Sequence, residues 1–153
     1  MQSKLLSLLF FAFLLTFVAG AGPAAPDDKT SLQGVWIAKS MEADGKPTPA
    51  EAGKRMRFTF KGDKLLVTGN LNDDSAEQCS YEIDASKSPK HLTLTPPKES
   101  HQNTRVLGIY EVKGEELKLC LRRGRSSAGR PTEFSTKPDS ALILVVFKRA
   151  KAE

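Results

Sequence analysis

From Val35 to Arg149 the chain repeats one theme: short runs rich in Val, Ile, Leu, Phe and Thr, alternating with period two and broken by Gly, Asp, Asn and Pro. The runs are Val35 to Glu42, Arg55 to Lys61, Lys64 to Asn70, Gln78 to Asp84, His91 to Thr95, Arg105 to Val112, Glu116 to Arg122 and Ala141 to Arg149. Period-two alternation sends successive side chains to opposite faces, so each run reads as a strand with one buried face. Parallel neighbours need long crossovers, usually helical, and the spacers here are too short to supply a βαβ unit. The one helical candidate is Pro49 to Lys54, with Thr48 as its N-cap and Pro49 at its first position. Gly62 and Gly114 stand where two-residue hairpin turns want positive φ, which makes the runs on either side antiparallel neighbours. Eight short antiparallel strands fit a small closed barrel or a sandwich. In the last run Ile143, Val145 and Phe147 alternate with Leu142, Leu144 and Val146, so both faces are apolar. Pairing that run with the first would close a barrel and leave no long apolar edge.

The N-terminus sets the compartment. Lys4 precedes an almost unbroken apolar stretch from Leu5 to Val18, and Ala19-Gly20-Ala21 offers the small residues behind which a signal peptidase cuts. Residues 1–21 therefore read as a signal peptide, and the product as exported, periplasmic or extracellular. The apolar stretch is about fourteen residues, short of the roughly twenty that span a bilayer as a helix, and no second one follows, so no membrane span is expected. Residues 22–31, rich in Pro, Ala and Asp, read as a flexible entry segment, and residues 32–150 as one β domain.

Charge gives little away. The 23 Lys and Arg against 18 Asp and Glu leave a mild excess, and signs alternate along the chain, as in Lys61-Gly62-Asp63-Lys64. With two Tyr, one Trp and no helix carrying a basic stripe, a nucleic-acid surface is not expected. The two cysteines, Cys79 and Cys120, would meet a compartment in which disulfides persist. Pairing would close a loop of about forty residues, worth on the order of 4 kcal/mol in the chain-entropy model. The strand phases oppose it: Cys79 shares an inward face with Tyr81 and Ile83, and Cys120 an outward face with Lys118 and Arg122. Pairing is the lesser of the two expectations.

Several segments occur in a fixed order: Leu32-Gln33-Gly34-Val35-Trp36, Asp44-Gly45-Lys46-Pro47, Phe58 to Asp63, Leu107-Gly108-Ile109-Tyr110-Glu111, Leu117-Lys118-Leu119-Cys120, Arg130 to Phe134, and a closing Phe147-Lys148-Arg149. Together they resemble the small exported lipocalin-like domain family, of unassigned function and abundant in planctomycetes, over nearly all of residues 31–149. The resemblance implies an all-β, eight-stranded antiparallel lipocalin-like barrel with one short helix, and brings no catalytic residues. Gly34-Val35-Trp36 also matches the opening of lipocalins at large, where the Trp closes one barrel end and a basic residue near the last strand stacks over it. Arg149 stands in that place here. A β domain needs a core Trp in any case, and both readings of Trp36 are structural.

Candidate chemistry is sparse. His91 lies on a polar strand face and His101 in a loop, and neither stands at zinc-ligand spacing. Asn72-Asp73-Asp74-Ser75 with Glu77 lacks the spacing and Gly of a calcium loop, and no Ser sits in a nucleophile elbow. Arg122, Arg123, Arg125 and Arg130 fall within nine residues of a Gly/Ser loop, where they could hold an anionic head group bidentately or serve simply as a soluble hairpin loop. No metal or cofactor is expected. The reading is a non-enzymatic binding module for a small apolar or anionic amphipathic ligand, because an eight-stranded barrel can hold one. Its bulky inward residues, among them Phe58, Phe60, Leu65, Tyr81, Ile83 and Ile109, keep open a filled-core structural or protein-interaction domain of the cell envelope. An enzyme or enzyme inhibitor using loop residues is the third alternative.

If residues 1–21 are a leader, N-terminal sequencing of the exported protein will begin at Gly22. An intact Met1 on protein recovered outside the cytoplasm would contradict it.

Overall fold

The computed structural model describes residues 27–49, 51, 55–69, 76–97, 104–124 and 129–151. Among the described residues a short helix, α1 (Asp28–Leu32), precedes nine strands: β1 (Gly34–Ala43), β2 (Lys46–Pro47), β3 (Arg57–Lys61), β4 (Lys64–Thr68), β5 (Glu77–Asp84), β6 (Lys90–Thr95), β7 (Val106–Lys113), β8 (Glu116–Arg122) and β9 (Leu142–Arg149). Consecutive strands from β3 to β9 pair antiparallel, and β1 pairs with both β3 and β9. The ring β1-β3-β4-β5-β6-β7-β8-β9 is thus a closed barrel of eight strands, with the two-residue β2 folded back on the end of β1. Closure removes the free edges that an open sheet of such apolar strands would expose.

The turns are made by the residues suited to them. Gly62 (φ 61°) joins β3 to β4 and Gly114 (φ 56°) joins β7 to β8, both in the left-handed region that a tight hairpin requires. The pairing of β1 with β9 slips between Ala38 and Ser40, leaving Lys39 as the extra residue of a β-bulge. The slip restores the inward phase, so Trp36, Ala38 and Met41 all enter the core.

Inside the barrel lie Trp36, Phe58, Phe60, Leu65, Tyr81, Leu92, Tyr110, Leu117, Leu119, Val145 and Phe147. Phe58 on β3 and Phe147 on β9, on either side of β1, meet at 4.7 Å between ring centroids. Phe60 then meets Tyr81 edge to face at 5.0 Å. Ile109 departs from its expected inward place. It is fully buried but stands outside the core, directly across from Cys120, while its neighbour Tyr110 fills the inward position opposite Leu119.

What covers Ile109 and Cys120 is the segment 129–141, which crosses the outer wall. Arg130 donates to the carbonyl oxygens of Leu92 and Gly108 and, at 2.9 Å, to Thr93 Oγ1. The Cys120 thiol points at Ser135 O (3.8 Å), and Lys118 Nζ lies 5.6 Å from the centre of the Phe134 ring. Buried Thr136 accepts from Gly45 N at 2.9 Å and donates to Glu42. This strap explains how Ile109 and Cys120 can be buried on the outer face of the barrel.

Within the expected Pro49 to Lys54 helix, Glu51 is helical, as is Arg55 just beyond it, while positions 50 and 52–54 lie outside the described residues. The difference in local structure is α1, which occupies the end of the expected entry segment 22–31. Five residues have too little propensity to form a helix alone. α1 exists because Leu32 is 1 % exposed against the core and its last carbonyls have tertiary partners. Trp36 Nε1 donates to Leu32 O (2.8 Å), and Arg149 donates from Nη2 to Ser31 O (2.7 Å) and from Nη1 to Gln33 O (2.6 Å). The same guanidinium carbon lies 4.1 Å from the centre of the Trp36 ring. Gly34 permits this approach: at φ 109° it has no Cβ, and one placed there would stand 3.1 Å from Arg149 Nη1.

Trp36→Ala should cost about 3–5 kcal/mol, as aromatic truncations in cores do. Arg149→Ala should cost less, and the two should be non-additive by about 0.5–3 kcal/mol because the side chains touch. A double-mutant cycle from denaturant unfolding measures this, and additive effects would contradict it.

Candidate functional site

The two ends of the barrel are built differently. At one end α1 sits over the core. Asp28 Oδ2 accepts from Lys90 Nζ (2.6 Å) and from Tyr110 Oη (2.7 Å), tying the helix to β6 and β7. Burial alone would raise the Asp28 carboxyl, but these two hydrogen bonds and the Lys90 charge outweigh it and hold the pKa below its ordinary value. Burial first, and then the bond to Asp28, pushes the Tyr110 hydroxyl up, so it remains a donor at neutral pH. Gln33 completes the closure. Its Nε2 donates to Tyr81 Oη at 2.9 Å, its Oε1 accepts from Gly62 N at 2.8 Å, and Tyr81 Oη donates to Gly62 O at 2.9 Å.

At the opposite end β1, β4, β6 and β8 finish while β3, β5, β7 and β9 begin. Val67 on β4, Val106 on β7, Leu121 on β8 and Ile143 on β9 all pack against the core there, yet all four remain partly exposed. Met41, Met56 and Leu94 are buried at the same end, where helical Arg55 leads through Met56 into β3. The remaining partly buried members of the core, Ile83 and Val112, belong to the α1 end. This end of the barrel, its mouth, thus carries an apolar ring over buried Leu65, Leu119 and Val145.

The arginines expected to crowd one loop go to separate partners. Arg122 donates to Gly129 O and, at 2.9 Å, to Ser140 O, so it braces the two ends of the strap. Arg123 pairs with Asp44 at 2.6 Å, with both side chains nearly half exposed. Arg130 is spent on the wall under the strap, and burial lowers its pKa. Arg125 lies outside the described residues. The three described guanidiniums are not brought together as one anion cradle.

Both thiols are free and buried. Cys79 faces the core, and burial, reinforced by Glu77, pushes its pKa up to about 11. Cys120 faces outward beneath the strap, and burial raises its pKa as well. Both are protonated at neutral pH and poorly nucleophilic. His91 stands on the outer wall across from Asp84 and Ile109, its pKa lowered by burial and by the Arg130 charge. His101 and the Asn72 to Ser75 turn lie outside the described residues. No group of three or more His, Cys, Asp or Glu side chains among the described residues could hold a metal ion, and none of the described helices is long and apolar enough to cross a membrane. A groove of about 250 Å³ on the outer wall, lined by Lys39, Lys113, Glu115, Glu116 and Lys148, mixes both signs of charge and presents no single field.

Two features escape sequence reasoning. The Asp28, Lys90 and Tyr110 cluster joins residues 62 and 82 positions apart, with no local signal. The mouth ring had one: Val67, Val106, Leu121 and Ile143 share the inward phase of their strands and stand at strand ends that the antiparallel order brings to one side.

No curated protein and no solved structure matches the chain. A family model described as the lipocalin-like domain matches residues 32–119, from Leu32 under the barrel to Leu119 in β8. That span contains Trp36, the glycine hairpins, the ring strands from β1 to β7 and the first part of β8, and β9 completes the ring in the structure. With the match covering more than half of its length and the barrel closed around Trp36, the chain belongs to the lipocalin-like domain family.

Proposed function

We propose that this chain is an exported, non-enzymatic binding module that takes a small apolar or amphipathic ligand at the mouth opposite α1. The observation that carries the reading is the ring of Val67, Val106, Leu121 and Ile143, partly exposed at one end of a barrel whose other end is closed by α1. Apolar surface left accessible in a concave place gains free energy when a ligand covers it, at about 25 cal/mol per Å². Eight-stranded barrels are wide enough to hold one small ligand, and the family assignment supports that use of the mouth. The leader at residues 1–21 supports export.

A second reading has an observation of its own. Trp36, Phe58, Phe60, Tyr81, Tyr110 and Phe147 fill the α1 half of the barrel, as they would in a structural or protein-interaction domain that carries no ligand.

Titration with anilinonaphthalene sulfonate separates the two. A binder will raise dye fluorescence saturably, with Leu121→Trp and Ile143→Trp weakening the dye at least tenfold by filling the mouth. Thr59→Trp, on the outer wall, will leave it unchanged. Equal binding by all three variants, or no saturable binding, would favour the filled barrel.

A further inference from the structure

Charge is spread unevenly around the outside of the barrel. Register sets the outward side chains of β1, β3 and β4 in rows: Ile37 stands across from Arg57, Val35 and Leu66 stand on either side of Thr59, and Lys61 stands across from Lys64. Lys39, the residue that the bulge adds to β1, and Lys148, across from Ile37, line the groove at the margin of this wall. All these Lys and Arg side chains are exposed, and Lys39, Arg57, Lys61 and Lys148 form no ion pair among the described residues. From Val35 to Lys39, and along the whole of β3 and β4, no residue is acidic. Carboxylates return only at the edges and beyond, with Asp63 at 3.6 Å from Lys64, Glu116 across from Lys148, and Glu82, Asp84 and Glu111 on the outer faces of β5 and β7. Within the basic area lie three aliphatic side chains, Val35, Ile37 and Leu66, which are partly exposed and take the outward phase, away from the core. Strand spacing puts Val35 about 10 Å from Leu66 and about 7 Å from Ile37. Aliphatic groups scattered singly over a surface are ordinary, but three gathered inside a fringe of cations make an amphipathic face.

We propose that this wall docks on an anionic lipid surface, with Val35, Ile37 and Leu66 set into the headgroup boundary and the cations among the lipid phosphates. Lys and Arg carry their charge at the end of an apolar stem, so Arg57, Lys61 and Lys64 reach the phosphates while the aliphatic centre is covered. The wall's chemistry selects among anionic partners. A polynucleotide would use the cations alone, and none of the outward residues of β1, β3 and β4 is aromatic, so its bases find no platform to stack on. The aliphatic centre gains only from a partner with apolar matter to cover it, which a lipid boundary has. Docking by the wall needs no membrane-spanning helix. It lays the barrel on its side and leaves both ends free, so it is independent of ligand binding at the mouth.

The test is co-sedimentation of the folded protein with vesicles of phosphatidylglycerol mixed with phosphatidylcholine, and with vesicles of phosphatidylcholine alone. The protein will sediment with the mixed vesicles and not with phosphatidylcholine, and added salt will release it, because exposed charges are screened. Arg57→Gln with Lys61→Gln will weaken the binding about twenty-fivefold, at about fivefold per charge. Lys87→Gln with Lys137→Gln removes the same charge away from the wall and will change it less than about twofold. Leu66→Ser will weaken vesicle binding about fivefold through lost apolar contact, while leaving binding to polyglutamate, a polyanion without acyl chains, unchanged. Thermal unfolding confirms that each variant is folded. No sedimentation with the mixed vesicles, or equal losses in the two charge variants, would overturn the docking face. Polyglutamate bound as tightly as the vesicles at matched charge, with Leu66→Ser weakening neither, would overturn the lipid as its partner. None of these results bears on the mouth.

Discussion

The contact between Arg149 and Trp36 is where the barrel is made one object. These residues stand opposite each other in the pairing of the last strand with the first, the only pairing that turns a row of strands into a ring. The guanidinium lies over the indole while donating to two carbonyls at the end of α1, and the indole N–H takes the carbonyl between them. Helix C-termini leave carbonyls without partners, and a cation is the favoured group to meet them. One pair of side chains thereby closes the sheet, caps the helix and seals the end of the barrel. All the donors involved are satisfied, which is the condition for burying them at acceptable cost.

From that closure the asymmetry of the molecule follows. The α1 end is closed because its polar groups are tied down by Asp28, Gln33 and Arg149. The opposite end keeps four apolar side chains within reach of solvent. The strap over the outer wall serves the first purpose rather than the second. By covering Ile109 and Cys120 it lets β7 and β8 each bury an apolar residue on the outer face, and it uses Arg122 and Arg130 to do so.

Much of this was legible in the sequence. Period-two alternation located all eight ring strands to within one or two residues, because one buried face repeats at every second position. The glycines at 62 and 114 gave the hairpins. Position alone could not say that Arg122 and Arg130 would turn inward to backbone carbonyls, since a run of arginines in a Gly/Ser loop looks the same whether its partners are in the chain or in a ligand. Ile109 and Tyr110 could not be ordered by phase, because an outer strap makes both faces of β7 apolar and erases the alternation. α1 was invisible for a different reason: its five residues are helical through contacts made by residues far away in the chain, and short helices draw little from propensity.

The account turns on the difference between the two ends, and methyl NMR reads it directly. With Ile, Leu and Val methyls labelled, hexanoate is titrated into the folded protein and the shifted resonances are assigned. The account predicts shifts concentrated at Val67, Val106, Leu121 and Ile143, with Ile83 and Val112 beside α1 unmoved. Shifts centred on Ile83 and Val112, or spread evenly over both ends, would contradict it.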